Sequence, residues 1–333
     1  MNQCVKYLIA LMAIAVFLAS SVCAQPAFEE VRSGYVKSDS LLLDRHGNVL
    51  HELRTDKTGR RLDWTPLADI SPSLVEAVVA SEDARFFRHG GVDYRAIGSA
   101  ALSLITSGNK RGASTITMQL ASLLDKSLQS KKERRTLTQK IRQISAARDM
   151  ETRWSKNRIL EAYLNLVTFR GEYQGVAAAS RGFFGRDPHG LTQAQSLILA
   201  SLIRAPNATA DVLTKRTIQL NTQLGWTLSA PYMLTEINSL YSEIHQIRPR
   251  IALAPHVARR LFKDRAAKSV IDCTLDGTLQ KFVMETLSQQ IAALADQNVQ
   301  EGAALVLHNA TGEVLAYASY SNRPHASAYV DGI

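Results

Sequence analysis

SEDARFFRHGG, residues 81–91, follows the apolar run SLVEAVVA (73–80) and sets two carboxylates, Glu82 and Asp83, side by side at its end. The apolar run predicts a helix that buries Leu74, Val78 and either Val75 or Val79. A carboxylate at the end of such a helix is partly removed from water. Partial desolvation favours a bound proton, so the group suits general-base work. A neighbouring carboxylate makes ionising both costlier. His89, Arg85 and Arg88 offer counter-charges. Taken alone, the stretch also reads as a helix terminus with solvated charges.

Outward from this point the chain stays helical from Ser71 to about Pro206. Alanine- and leucine-rich segments are broken at RHGGVD and TSGNKRGAS. GASTITMQLASLL (112–124) opens on Gly112, Ala113, Ser114 and Thr115. A helix start of this kind supplies free N–H groups for an anion, with Ser114 as the expected cap and Thr117 and Gln119 close by. QKIRQISAARDMETRW (139–154) puts Lys140, Gln143 and Ala147 on one stripe, where a lysine facing a cleft would neutralise phosphate. SKNRILEAYLNLV (155–167) has helical spacing with Ser155 as N-cap. Its Glu161 and Tyr163 brace either the core or a site. LTQAQSLILASLI (191–203) is a further apolar helix, stopped before Pro206.

The flanks read differently. LLLDRHGNVLHELR (41–54) predicts two short strands about a turn at His46, Gly47 and Asn48. Residues 207–270 are mixed and basic, a tail plus linker. TLDGTLQKFVMETLSQQIAAL predicts one helix, and GAALVLHNATGEVLAYASY (302–320) a hairpin. A helix with one hairpin makes a poor independent domain, so the last stretch is expected to be the beginning of a larger one.

Composition narrows the class. Of 333 residues, 46% are apolar and 21% charged, which fits a folded protein rather than a disordered one. The net charge of +9 suits an anionic partner: nucleic acid, lipid head groups or a phosphate-bearing substrate. No zinc-finger spacing, dinucleotide fingerprint or P-loop is present. Residues 7–24 form 18 uncharged residues after Lys6, read as a cleaved signal peptide or a membrane anchor, with lipid-modified Cys23 as a weaker third reading. All three send the rest across a membrane. Cys273 is the one cysteine beyond this leader, which excludes an internal disulfide in the body and predicts a small buried apolar residue.

In order along the chain, Glu82-Asp83, Phe86 or Phe87, His89 and Gly91, then GASTITMQLA, then KIRQ with SKNRILEAYLN and GVAAASRGFFGRDPHGLTQAQSLILASLIRAPN, resemble the motifs of the glycosyltransferase family 51 domain. This is the peptidoglycan transglycosylase of class A penicillin-binding proteins. The likeness runs from about residue 40 to 210. KIRQ, LAPHVARRL (253–261) and IDCTLDGTLQ (271–280) are most similar to the 1C type.

The resemblance implies a mainly α, lysozyme-like domain with a cleft between a larger and a smaller lobe. An N-terminal apolar helix would precede it, and an incomplete α+β segment would follow. The implied divisions are 1–24 leader, 25–70 strand and linker, 71–210 transglycosylase, 211–270 tail and linker, and 271–333 the start of a penicillin-binding domain. The implied reaction polymerises lipid II by inverting transfer, with loss of undecaprenyl pyrophosphate. Glu82 would be the base, and Asp83, Phe87, His89, Gly112, Ser114, Thr115, Thr117, Gln119, Lys140, Gln143 and Arg148 would bind substrate. Lipid II, nascent glycan, the membrane and cell-wall synthesis proteins are the implied partners, with no nucleic acid. The expected location is the outer face of a bacterial inner membrane. No cofactor is assigned, and a divalent cation, magnesium or manganese, is left open.

Two departures stand out. The family's R-K-x-x-E is here Gln139-Lys140-Ile141-Arg142-Gln143, so a glutamine replaces the second acidic residue and cannot protonate a leaving group. SGNK (107–110) and KTG (57–59) occur in the wrong order for a transpeptidase, and no penicillin acylation is expected. The chain is expected to be a truncated product or a fragment. A weakly catalytic scaffold for lipid II or glycan is the alternative, and a lytic muramidase a more distant one.

Overall fold

The computed structural model describes residues 25–99, 114–128, 137–242, 247, 249–264 and 269–322. The leader, Gly112 and SGNK lie outside the described residues. Among the described residues no helix is long and apolar enough to cross a membrane.

The chain divides into two compact units. The first comprises the residues up to Val36 and Arg60–Ile247, and the second Lys37–Gly59 and the residues from Arg248 on. The first unit is helical: α1 (Phe28–Ser33), α2 (Pro72–Glu82), α3 (Ile116–Leu124), α4 (Leu137–Arg153), α5 (Lys156–Leu166), α6 (Val176–Phe184), α7 (Gln193–Arg204), α8 (Ala210–Gln223) and α9 (Ala230–Ser242). Helix α2 packs along α7, and α3 packs against α4 and α5. One apolar core joins them, through Leu74 and Val78 of α2, Ile116 and Leu120 of α3, Tyr163 of α5 and Leu197 of α7. Val75 and Val79 are only partly buried and pack at its edge.

Caps fix the helix starts. Ser155 accepts from the Arg158 N–H, and Thr192 forms a capping box with Gln195. At α3 the cap is Thr115, one residue later than the sequence suggests, with its side chain accepting from the Met118 N–H. Residues 207–242 carry two helices where the sequence reads as tail and linker. Leu213 and Leu220 of α8, and Met233, Ile237 and Leu240 of α9, are buried. Their sparse apolar spacing is set among polar residues, which hid the pattern.

The second unit holds a three-stranded sheet of order β2-β1-β3, made of β1 (Asp39–Leu43), β2 (Val49–Arg54) and β3 (Val270–Asp272). β1 runs antiparallel to β2 and parallel to β3. The turn expected at 46–48 is present, its N–H groups at His46 and Asn48 donating to the Asp44 carboxylate. Helix α10 (Pro255–Asp264), helix α11 (Gly277–Ala293) and the hairpin β4 (Glu301–Leu307) and β5 (Val314–Ser321) complete the unit. Asp276 caps α11. The strands read from 41–54 thus belong with residues some 230 positions on (Leu41 opposite Val270), rather than with a separate linker. Cys273 is half-buried rather than buried, and its thiol donates to the Leu43 carbonyl.

Candidate active site

The last turn of α2 is held from outside. Arg204 of α7 donates to the Ser81 carbonyl at 3.0 Å, and Gln223 of α8 to the Ala80 carbonyl at 3.0 Å. These are the carbonyls a helix end leaves without an intrahelical partner. The Glu82 side chain, at the end of this turn, lines a cavity of about 540 Å³ with Ser81, Arg85, Arg95, Ser114, Thr115 and Arg204 among its other walls.

Glu82 is itself positioned. Gln119 of α3 donates to Glu82 Oε2 at 2.9 Å, and the Tyr163 hydroxyl of α5 donates to Gln119 Oε1 at 2.9 Å. Tyr163 is wholly buried. Burial, and then the negative charges of Glu82 and Asp83, push its phenol well above the ordinary value. It therefore stays protonated at neutral pH and remains a donor. That fixes the Gln119 amide with its NH₂ toward Glu82.

Asp83, which also lines the cavity, has its own partners. Its carboxylate meets His89 Nε2 at 2.9 and 3.0 Å and accepts from the Ile116 N–H at 3.1 Å. The anion at the start of α3 is thus a side chain of the protein. The Thr115 hydroxyl donates to the Gly91 carbonyl at 2.6 Å. Gly91 has φ +83°, and a Cβ there would lie 2.6 Å from the Ala147 carbonyl oxygen. The Thr115 hydroxyl ties the stretch at 81–91 to the start of α3, and the stretch's close backbone approach to α4 is one that only glycine permits.

The other sequence-predicted residues divide in two. Ser114 lines the cavity and accepts from Lys140 Nζ at 2.8 Å. Gln143 is fully buried, donating to the Met118 carbonyl at 2.7 Å and to Ser122 Oγ at 2.8 Å. Thr117 is fully buried and donates to Glu151, which also accepts from Lys156. Phe87 is 57% exposed and lines a separate apolar groove with Val75, Val79 and Leu224, while Phe86 is in the core. Arg148 is exposed and does not line the cavity. Glu161 takes the Trp64 Nε1–H and the Leu67 N–H, so it braces the core. Arg85, read as a counter-charge for Glu82 and Asp83, instead clamps Asp93 with both ends of its guanidinium. Sequence reading gave no site role to Asp93, Arg95, Arg204 or Gln223; the basic IRAPN ending of α7 was the available signal for Arg204.

Among the described residues the cavity's acidic residues are therefore Glu82, Asp83 and Asp93, and two of them are engaged by His89 and Arg85. Among the described residues no group of three or more His, Cys, Asp or Glu converges on a metal-sized space.

The sequence matches the family model described as Transglycosylase over residues 46–225, just over half of the chain. The chain belongs to the transglycosylase family. It is 34% identical over 199 residues to penicillin-binding protein 2D of Bacillus subtilis (60% of this chain, 27% of that one). It is 40% identical over 144 residues to the biosynthetic peptidoglycan transglycosylase of Mannheimia succiniciproducens (43% and 57%). To penicillin-binding protein 1C of Escherichia coli it is 39% identical over 175 residues (47% and 22%). The chain thus matches between about a fifth and three fifths of the length of these relatives. Family membership agrees with the motif resemblance.

Proposed function

We propose that the helical unit is a peptidoglycan glycosyltransferase that polymerises lipid II, with Glu82 as general base. The observation that carries this is the Glu82 carboxylate, facing the cavity and aimed by the Gln119–Tyr163 relay. Family membership and the transglycosylase named among the relatives supply the reaction class. A lysozyme-like arrangement of the unit is part of the same proposal.

In this mechanism the acceptor sugar hydroxyl gives its proton to a Glu82 oxygen as its own oxygen attacks the donor's anomeric carbon. The bond from that carbon to the pyrophosphate oxygen breaks, and its electron pair leaves with undecaprenyl pyrophosphate. Attack from the face opposite the leaving group inverts the configuration. Lys140, whose Nζ donates to the cavity-lining Ser114, supplies positive charge for the departing phosphates. No step passes through a metal or through Gln143.

Labelled lipid II in detergent tests the reading. The expected products are glycan polymer and undecaprenyl pyrophosphate. Binding of lipid II without polymer would favour the scaffold reading, which draws on Gln143 standing where the family's second carboxylate does. Digestion of finished peptidoglycan would favour a muramidase.

A further inference from the structure

Beside the Glu82 cavity lies a second, smaller one of about 260 Å³, lined by Ser81 of α2, Ser201 and Arg204 of α7, and Arg216, Gln219 and Gln223 of α8. Among the described residues its charged lining is two arginines, with no carboxylate. Among the described residues neither arginine forms an ion pair with an acidic side chain. Two of the lining groups are buried without a hydrogen-bond partner, Arg216 Nη1 and Ser201 Oγ. Ser201 is 2% exposed, so its hydroxyl is built into the wall. Buried polar groups are almost always matched, and an unmatched guanidinium N–H is costly to bury. A water molecule would match the hydrogen bonds but bring no counter-charge to the half-buried Arg216 or to the exposed Arg204 beside it. An oxyanion supplies both, since a guanidinium presents paired donors to phosphate or carboxylate oxygens. The two cavities share Ser81, Arg204 and Gln223, so an anion here sits one residue from the proposed base.

We propose that this cavity is an oxyanion subsite, formed by Arg216, Ser201 and Arg204, for an anionic group of the molecule whose reacting end lies at Glu82. The oxyanion site stands on its own geometry; its assignment to a polymerisation substrate rests on the reading above. That substrate carries two kinds of oxyanion, a diphosphate and the carboxylates of its peptide, and both suit the donor set.

Calorimetric titration of the full chain with inorganic pyrophosphate, and separately with an N-acetylated dipeptide bearing a free C-terminal carboxylate, distinguishes the sources. One of the two is expected to bind the wild type. Arg216→Gln should weaken that binding about tenfold or more, as loss of a charged hydrogen bond predicts. Ser201→Ala should weaken it several-fold, and Arg216→Lys, which keeps charge but loses the fork, should fall between. Thermal melting establishes that each variant is folded, and the lysine variant serves if the glutamine one is not. Preference for pyrophosphate assigns the diphosphate, and preference for the dipeptide assigns the peptide stem. No binding of either by the wild type, or equal binding by folded Arg216 variants, overturns the proposal. Arg216-dependent binding by a wild type that makes no polymer would leave the subsite standing and remove the polymerase reading.

Discussion

Gln143 carries the departure from the family motif, and its surroundings explain why glutamine suits it. Its amide NH₂ donates twice into α3, to a backbone carbonyl and a hydroxyl, from a fully buried position. Gln143→Glu would set a carboxylate against the Met118 carbonyl. The variant is expected to lose about 2 kcal/mol or more of stability in urea unfolding, with no gain in activity. A more active, equally stable variant would contradict this placement. Gln119 shows the reverse case, a side chain whose loss is felt at Glu82. Gln119→Leu strands the buried Tyr163 hydroxyl and is expected to cost about 1–3 kcal/mol. Adding Tyr163→Phe should restore most of that stability without restoring polymerisation. Recovery of both together would make the relay structural only.

At the scale of elements, the stripe Lys140, Gln143 and Ala147 predicted from helical spacing is real, but Gln143 and Ala147 on it face protein. Lys140 reaches Ser114, Gln143 reaches α3, and Ala147 meets Gly91. Periodicity tells which residues share a face and not what the face meets. The start of α3 followed the same logic: a ready anion site, already filled by Asp83. The loop after α2 is tied by Arg85 and Asp93, and Asp93 also accepts from the Ala96 N–H. The hydrogen bond from Arg85 holds the Asp93 carboxyl below the usual carboxylate range. A lowered acid contributes stability above its unfolded pKa, about 4, and loses it as pH falls through the folded value. The stability gap between wild type and Arg85→Gln is therefore expected to be full at neutral pH and to close in acid. A gap that stays constant from neutral pH into strong acid would argue against the pair.

For the molecule as a whole, the helices of the first unit were largely legible, because long apolar segments with Ser or Thr at their starts specify them locally. So was the stretch at 81–91, since its residue types sit together in sequence. Long-range pairings were not. Leu41 beside Val270, and Arg204 and Gln223 on the end of α2, join residues that no local pattern relates. The basic balance was legible as a sum, and its concentration in the paired arginines of the smaller cavity became visible only when α7 and α8 were side by side. The central claim is that this unit polymerises glycan with Glu82 as its base. Glycan formation from labelled lipid II by wild type and Glu82→Gln, matched for melting temperature, tests it most directly. Polymer from the wild type and a fall of about 10²–10⁴-fold in the variant is the predicted result. Equal polymer from both would contradict the assignment of Glu82, and none from either would contradict the polymerase itself.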